Sequence, residues 1–285
     1  MFQITVPALT PAFVLKRMAN LLGLVAGNRS FPIHVARSAK EQGYQVVAVG
    51  LREETDPALE REVDRMLWVT FSEIGKVPEL LKEAGVQDVL LAGQIRPERL
   101  LGDQKKMDGL VQQLMKWMPD FSGASAMKMA VKYLESRGFR VLHSGTFLKS
   151  WLPPAGILTA RAPSPEERAD GEFGLRIARQ LAGWKAGQTV VVRRKAVAAI
   201  EALEGTDETI RRAGRLAGPG CVVAKACEPD HDMRFDIPVI GMETLKVMQE
   251  AQASCIAMEA GRVLLFNRPE LVAAADAAGL ALVAY

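Results

Sequence analysis

Long apolar runs, paired cysteines and a strong net charge are all missing from this chain of 285 residues, and each absence excludes a class of protein. No apolar stretch reaches the roughly 20 residues that a helix needs to span a bilayer. The three cysteines, Cys221, Cys227 and Cys255, are odd in number and lack metal-ligand spacing, so neither a disulfide framework nor a zinc site is expected. A formal net charge of +3 is too small to indicate a nucleic-acid partner.

The start of the chain lacks the pattern of a secretory signal. Residues 1–23 are mildly apolar, but Pro7 and Pro11 interrupt them, and Lys16 and Arg17 fall in the middle. A secretory signal would place its positive charge before the apolar stretch. We therefore predict a cytoplasmic protein.

The length and composition predict two domains. At 285 residues with 49% hydrophobic residues, the chain exceeds the usual size of one domain and can build a core in each of two. The clearest break is a stretch rich in proline and glycine at residues 151–156. We predict an N-terminal extension over 1–20, a Rossmann-like domain over 21–152, a linker over 153–165 and a mixed α/β catalytic domain over 166–285.

The first domain carries strands that alternate with helices, which predicts a parallel sheet. An apolar run that ends at Gly27 leads through a turn into a helix that begins near Phe31, and further strands are expected over 44–51 and 86–93. Ligands of such sheets bind beyond the carboxyl ends of the strands. This places Gly27, Asn28, Gly93, Gln94 and Arg96 on one rim. That the glycines only permit tight turns stays an alternative. The Gly-x-Gly-x-x-Gly fingerprint is absent, which argues against a nicotinamide-dependent oxidoreductase.

Two acidic runs in the second domain follow apolar strands. The first, Glu201–Asp207, closes one strand and opens a helix whose expected N-cap is Thr206 or Asp207. The second, His231–Pro238, holds two aspartates, an arginine and a histidine in a segment that prolines keep irregular. Carboxylates with a cation at strand ends favour metal-assisted phosphate chemistry. A capped helix plus a solvated turn is the alternative.

Several motifs resemble one family, the LpxI type of UDP-2,3-diacylglucosamine pyrophosphatase. The resemblance runs from about residue 21 to the C-terminus, in order. Its motifs are Gly23-Leu-Val-Ala-Gly27, Ala92-Gly-Gln94, Thr159-Ala-Arg161-Ala-Pro163, Ile200-Glu-Ala-Leu-Glu-Gly-Thr-Asp207, Glu228-Pro-Asp-His-Asp-Met-Arg-Phe-Asp-Ile-Pro238 and Glu259-Ala-Gly261.

The resemblance implies an activity and its partners. Such enzymes hydrolyse the pyrophosphate bond of UDP-2,3-diacylglucosamine to UMP and 2,3-diacylglucosamine 1-phosphate (lipid X), a step of lipid A biosynthesis. They require a divalent cation, Mg2+ or Mn2+, and bind the nucleotide-linked glycolipid between two domains. The resemblance also implies peripheral contact with the cytosolic face of the inner membrane and a homodimer.

The expected roles of individual residues follow from this resemblance and from the chemistry of a diphosphate. Loss of Asp232 or Asp236 to alanine is expected to abolish turnover and spare binding. The predicted catalytic residues are Asp232, Asp236, Asp207 and Glu204, and the predicted metal ligands are Asp207, Asp232, Asp236 and Glu201. The predicted substrate-binding residues are Gly27, Asn28, Gly93, Gln94, Arg161, Thr206, Arg234 and His231, with Arg234 on a phosphate oxygen.

Four departures from the family pattern open an alternative. Glu228 and Gln94 stand where lysine is usual, His231 where glutamine is usual, and Ala160 where arginine is usual. Positive charge lost beside a diphosphate weakens binding unless other residues replace it. The alternative is a non-catalytic or altered-specificity binder of a nucleotide-linked lipid or sugar.

Acyl chains would need an apolar receptacle. Methionine and tryptophan are frequent between Met107 and Tyr133, with Phe121 and Trp151 nearby. We predict that these residues form an acyl-binding surface, with core or interdomain packing as the alternative.

Overall fold

The computed structural model describes residues 20–93, 95, 109, 112, 116, 123–228, 232–234 and 237–285. It contains one sheet in the N-terminal part of the chain and a second, larger sheet in the C-terminal part. The predicted class, a Rossmann-like parallel-sheet domain followed by a mixed α/β domain, is confirmed.

The N-terminal unit is built on a five-stranded sheet in the order β3-β2-β1-β4-β5, with every pair parallel. The strands are β1 (Asn20–Ala26), β2 (Tyr44–Leu51), β3 (Arg65–Val69), β4 (Asp88–Ala92) and β5 (Arg140–Val141). The helices are α1 (Phe31–Glu41), α2 (Val77–Glu83) and α3 (Gly123–Ser136), with 3₁₀ turns at Pro57–Arg61 and Phe71–Lys76.

The central strands β1 and β2 are nearly continuous apolar runs because both faces of the sheet are covered. One face packs against α1, and the other packs against α2 and α3. The strand order reverses between β1 and β4, so a crevice opens at their carboxyl ends, next to Gly27 and Gly93.

The C-terminal unit is built on a six-stranded mixed sheet in the order β6-β13-β11-β9-β7-β8. Its strands are β6 (Gly156–Ile157), β7 (Thr189–Arg193), β8 (Ala196–Ile200), β9 (Val222–Lys225), β11 (Cys255–Met258) and β13 (Ala281–Ala284). A separate two-stranded parallel sheet joins β10 (Val239–Ile240) to β12 (Leu264–Leu265). The helices are α4 (Pro165–Gly183), α5 (Gly205–Ala217), α6 (Met242–Glu250) and α7 (Arg268–Ala277).

Helix α4 covers one face of this sheet, and α5, α6 and α7 cover the other. The predicted cap of α4 is confirmed: Ser164 accepts from the backbone N–H of Glu167, whose carboxylate accepts from the backbone N–H of Ser164. The predicted β7–β8 hairpin is also confirmed as an antiparallel pair.

Two local predictions differ from the structure. The predicted N-cap of α5, Thr206 or Asp207, is wrong, because the helix begins at Gly205 with Glu204 as its N-cap. The hydroxyl of Thr206 bonds to Glu201 instead. Gly156 and Ile157, inside the predicted linker, form β6 and pair antiparallel with β13, so this part of the linker belongs to the C-terminal sheet.

The two units share a hydrophobic core. Ile237 and Leu264 of the C-terminal unit are buried together with Leu24 and Leu148 of the N-terminal unit. Aromatic rings extend this contact, because Trp151 and Phe266 lie within 5.6 Å of each other, centroid to centroid. Trp151, predicted as part of an acyl-binding surface, thus packs at the interface between the two units. Such interdomain packing is the alternative given for these residues.

The three cysteines are buried free thiols, as predicted. Burial raises the pKa of Cys227 to about 11 and that of Cys255 to about 12. Such thiols stay protonated and unreactive at neutral pH. In the described ranges, no helix is both long enough and apolar enough to cross a bilayer.

Candidate functional site

A cavity of about 540 Å³ lies between the two units, at the carboxyl ends of β1 and β4. Its wall on the N-terminal side is formed mainly by the turn after β1 and by the end of β4. Its wall on the C-terminal side is formed by residues around β7, β9 and the starts of α5 and α6. The lining residues are Asn28, Arg29, Ser30, Phe31, Leu91, Gly93, Gln188, Glu201, Glu204, Gly205, Thr206, Asp207, Lys225, Ile237, Val239, Gly241, Glu243, Thr244 and Phe266.

The N-terminal wall depends on a close approach between two backbone segments. The N–H of Gly27 donates to the carbonyl of Ala92 at 2.8 Å. A Cβ on Gly93 would lie 2.5 Å from the carbonyl oxygen of Asn28, and Gly93 has a φ of +83°. Only glycine meets both conditions at this position. The prediction that Gly27, Asn28 and Gly93 share one rim is confirmed by these contacts.

Asn28 carries a polar atom that the described residues leave without a partner. Its Nδ2 donates to Glu54 at 3.3 Å, whereas its buried Oδ1 has no hydrogen-bond partner in the described part of the chain. A buried amide oxygen of this kind is stabilised by a donor from a ligand or from water.

Three helices begin at this cavity. Ser30 and Phe31 start α1, Gly205 and Thr206 start α5, and Gly241 starts α6. None of the three N-cap residues accepts a side-chain hydrogen bond from a backbone N–H of its own helix. The first backbone N–H groups of a helix need partners, and they carry a partial positive charge that favours anions. Three helix N-termini therefore line the cavity, and each of them favours a negatively charged ligand.

A buried lysine stands at the base of the C-terminal wall. Lys225 ends β9 and is 3% exposed. Its Nζ donates to Thr206 Oγ1 at 2.8 Å and to Thr189 Oγ1 at 3.4 Å. The Thr206 hydroxyl in turn donates to Glu201 Oε1 at 2.9 Å. The other oxygen of Glu201 accepts from the backbone N–H of Gln188 at 3.0 Å.

The remaining acids of the C-terminal wall differ in their partners. Glu204 pairs with Arg212 at 2.5 Å, and its own backbone N–H together with this guanidinium lowers the pKa of the Glu204 carboxyl. Asp207 Oδ1 accepts from Thr244 at 3.4 Å, a long contact that holds the carboxylate only loosely. Of these two predicted catalytic acids, Asp207 is therefore better placed to bind water or a cation.

Asp232 and Arg234 form an ion pair with each other. The guanidinium of Arg234 donates to both oxygens of Asp232, at 2.8 and 2.6 Å, and to Glu135 at 2.5 Å. Asp232 raises the pKa of the Arg234 guanidinium. Ser144 donates to the carbonyl of Arg234 at 2.7 Å, which fixes this segment to the N-terminal unit. Neither predicted residue is among the described residues that line the cavity.

Arg161 is held inside the C-terminal unit, although it was predicted to bind substrate. Its guanidinium donates to both oxygens of Glu167, at 2.8 and 2.9 Å, and to the carbonyls of Gly279 and Ser254. It is likewise missing from the described lining of the cavity. Here the arginine joins the start of α4 to the ends of the neighbouring loops.

The predicted metal ligands are not brought together within the described ranges. Glu201 and Asp207 line the cavity, but both Glu201 oxygens accept hydrogen bonds, and Asp232 is bound to Arg234. No group of three or more His, Cys, Asp or Glu side chains in those ranges is arranged to hold a metal ion. The described acids alone therefore do not fit a complete metal site.

Three predicted site residues, Gln94, His231 and Asp236, lie outside the described residues, and so does Arg96 of the predicted rim. The same holds for most of the predicted acyl-binding surface between Met107 and Phe121. Asp236 directly precedes Ile237, which lines the cavity. Their predicted roles stay predictions.

An apolar hollow of about 100 Å³ adjoins the cavity and shares Leu91 and Gly93 with it. Aliphatic side chains from β1, β2 and β3 form one side, and Met127 and Ala130 of α3 close another. Met127 belongs to the predicted acyl-binding surface, and it packs against the buried core of the N-terminal unit, which is the alternative given for that surface.

Lys225 and the start of α6 are contributors to the cavity that sequence reasoning missed. Lys225 lies in a strand and belongs to no recognised motif. A lysine that directly follows three apolar strand residues nevertheless indicates a charge that is paired or functional, because lysine is rarely buried otherwise. The start of α6 has only Gly241 as its N-cap. Its hydrogen-bond donors are backbone N–H groups, which produce no recognisable pattern of side chains in the sequence.

Fold and cavity together define a two-unit α/β protein with a cleft, lined by three helix N-termini, between a Rossmann-like sheet and a mixed sheet. Family models of the LpxI N-terminal domain and the LpxI C-terminal domain match residues 21–151 and 154–283. The chain belongs to the LpxI family. It is 31% identical over 270 residues to the UDP-2,3-diacylglucosamine pyrophosphatase LpxI of Caulobacter vibrioides, with 91% of this chain and 95% of that protein covered.

Solved structures add little to this assignment. The biotin carboxylase domain of a thermophilic 2-oxoglutarate carboxylase is 12% identical, with 60% of this chain and 34% of that chain covered and a TM-score of 0.27. The biotin carboxylase subunit of pyruvate carboxylase is 15% identical, with 70% and 42% covered and the same TM-score of 0.27. The chain thus spans less than half of either structure, and neither similarity carries a functional argument.

Proposed function

We propose that this protein hydrolyses the pyrophosphate bond of UDP-2,3-diacylglucosamine and releases 2,3-diacylglucosamine 1-phosphate and UMP. The observation that carries the proposal is the convergence of three helix N-termini without side-chain caps on one interdomain cavity. The C. vibrioides relative, named for this activity, aligns along almost its whole length.

The charge of a diphosphate suits this cavity. Its oxygens would accept from the backbone N–H groups at the starts of α1, α5 and α6, each worth about 0.3–1 kcal/mol as a helix-end interaction. Arg29 lines the same cavity and adds a side-chain cation. Such donors stabilise both the bound diphosphate and the additional charge of the transition state.

Asp207 is the described acid to which we assign the attacking water. In the proposed step the water oxygen bonds to phosphorus, the bridging P–O bond breaks, and the carboxylate accepts the proton that the water loses. The bridging oxygen leaves with the other phosphate. Asp207 suits this role because it lines the cavity and its one described hydrogen bond is long.

A requirement for Mg2+ or Mn2+ is a second part of the proposal. A bound divalent cation neutralises phosphate oxygens and prefers carboxylate ligands. Asp207 is the described residue best able to contribute, and Asp236 stays a predicted ligand.

The acylated end of the substrate has a candidate position as well. The apolar hollow beside Leu91 and Gly93 would accept the proximal part of an acyl chain while the diphosphate occupies the cavity. We also propose peripheral contact with the inner membrane and a homodimer. Flotation with anionic vesicles and light scattering of the purified protein test these two points.

The alternative is a binder that does not hydrolyse its ligand. The departures Gln94, Glu228 and His231 favour it, since each removes or changes a polar group of the family pattern.

Hydrolysis of UDP-2,3-diacylglucosamine in oxygen-18 water separates the two proposals. We expect turnover that a chelator abolishes and Mg2+ restores, with one labelled oxygen in one of the two products. Label in UMP identifies attack at the nucleotide-side phosphorus, and label in the sugar phosphate identifies attack at the other. Binding of the lipid without turnover at any divalent metal would overturn the hydrolase proposal in favour of the binder.

A further inference from the structure

Lys225 combines a charge with deep burial at the wall of the cavity. It is 3% exposed, yet it is among the residues that line the cavity between the two units. An ammonium group loses much of its hydration free energy when it is buried, so such a lysine is rare unless partners compensate it. The hydroxyls of Thr206 and Thr189 contribute to this compensation.

Glu201 is the third member of a hydrogen-bonded chain that runs from Lys225 through Thr206. The residue is 7% exposed, and its carboxylate accepts from the Thr206 hydroxyl and from the backbone N–H of Gln188. The Thr206 hydroxyl thus donates to Glu201 while it accepts from Lys225, which fixes its orientation. These bonds tie the end of β9 to the first turn of α5, where helical N–H groups meet the cavity.

From these contacts we infer that Lys225 binds the diphosphate of the substrate from the C-terminal wall, and that Glu201 acts through Thr206 as its positioning residue. The inference rests on the proposed function for the identity of the ligand. It gives Glu201 a role other than the predicted one of metal ligand, because one of its oxygens already accepts from Thr206 and the other from the backbone N–H of Gln188.

The charge balance supports this assignment. The C-terminal wall also presents Glu204, Asp207 and Glu243, whose carboxylates repel a diphosphate. A cation on the same wall offsets that repulsion, and its restricted environment strengthens its attraction to phosphate oxygens.

Calorimetric binding of UDP, inorganic pyrophosphate and uridine tests the inference without any need for turnover. We expect Lys225→Met to weaken UDP and pyrophosphate about 10- to 100-fold, the range for a hydrogen bond to a charged group, and to leave uridine unchanged. Lys225→Arg should retain part of the UDP affinity. Lys40→Met, which removes an exposed lysine in the last turn of α1, is the matched control and should bind as the wild type does.

The positioning role has its own test. Thr206→Val keeps the side-chain shape but removes the hydroxyl that joins Glu201 to Lys225, and we expect about 3- to 10-fold weaker UDP binding. Thr206→Ser should restore the affinity, which a merely steric role of Thr206 would not predict. A Val variant with wild-type UDP affinity would refute the role of Glu201 and Thr206.

The outcomes also distinguish this inference from the proposed function. If Lys225→Met leaves Glu201 uncompensated and unfolds, the double variant Lys225→Met/Glu201→Gln removes both charges and is measured instead. UDP affinity within twofold of wild type in a folded variant, an equal loss for uridine, or a wild type that binds neither UDP nor pyrophosphate would each overturn the inference. Binding of UDP that depends on Lys225, without any hydrolysis of the lipid, would support it while the proposed function fails.

Discussion

The two walls of the cavity are built by different means. The N-terminal wall, here the backbone wall, takes its shape from the place where the backbone of Gly93 passes over that of Asn28, and Arg29 adds a cation to it. The C-terminal wall, here the side-chain wall, presents the side chains of Lys225, Thr206 and Asp207. The carboxylates and hydroxyls of the second wall can take up or donate protons. The groups suited to proton transfer therefore lie mainly on the C-terminal unit.

The largest expected effect comes from the side-chain wall. Asp207→Asn should lower kcat at least about 100-fold, the range for loss of a general base, with little change in stability. Steady-state turnover of UDP-2,3-diacylglucosamine and thermal denaturation measure the two quantities. Glu208→Gln, one position further in the same helical turn, is the control, because Glu208 pairs with Arg215 and is not part of the described lining. A variant at Asp207 with wild-type kcat would remove this residue from the mechanism.

The backbone wall should respond differently, through stability and binding together. Gly93→Ala places a Cβ against the Asn28 carbonyl and in an unfavourable φ, at a cost of about 3 kcal/mol or more in unfolding free energy. We expect kcat/KM to fall with it. Gly43→Ala is the control that measures the cost of the backbone conformation alone. Gly43 has a φ of +84°, but an added Cβ would have nothing within 4 Å. This substitution should cost about 1 kcal/mol in unfolding free energy. Equal costs measured by urea denaturation would show that the close approach is unimportant.

A site away from both walls should change stability alone. Burial by itself would raise the pKa of Glu167, but hydrogen bonds from Arg161, Ser254 and the Ser164 backbone lower it to about 2. A carboxyl with a depressed pKa stabilises the fold above its ordinary pKa of 4.5, and this contribution is lost as the pH falls from about 5 to 2.

Glu167→Gln should therefore cost about 2–3 kcal/mol at pH 7, and the difference from wild type should shrink as the pH falls through that window. Urea midpoints at several pH values measure it, and KM should stay unchanged. Glu166→Gln removes an exposed partner of Arg194 and should cost at most about 0.5 kcal/mol. Because Glu167 holds the guanidinium of Arg161, a raised KM in Glu167→Gln would indicate that Arg161 binds the substrate after all.

The same contrast between backbone and side chains explains what the sequence could predict. The parallel sheet, the hairpin and the glycine rim were predictable because apolar periodicity and turn residues are local signals. Strand β3 was not predicted, since Arg65–Val69 lies at the sheet edge and only its last residue is buried. The hydrogen bond of Arg161 to Gly279 spans 118 residues, and no local pattern announces such a partner.

The candidate site was predictable in part for a related reason. Glu201, Thr206 and Asp207 sit at a strand–helix junction, so their neighbourhood in the sequence is also their neighbourhood in space. Lys225 reaches them only because β9 lies beside β7 in the sheet. The pairing of Asp232 with Arg234 was equally hidden, because the same residue types at the same spacing also fit a metal and a phosphate.

The shared core around Ile237 and Leu264 has a consequence for how the molecule denatures. Because these side chains are buried among residues of the N-terminal unit, neither unit can unfold without exposing apolar surface that belongs to the other. We therefore expect the two sheets to unfold together in one cooperative transition. Calorimetry should then show a single heat-capacity peak, and damage to one wall of the cavity should lower the melting temperature of the whole chain.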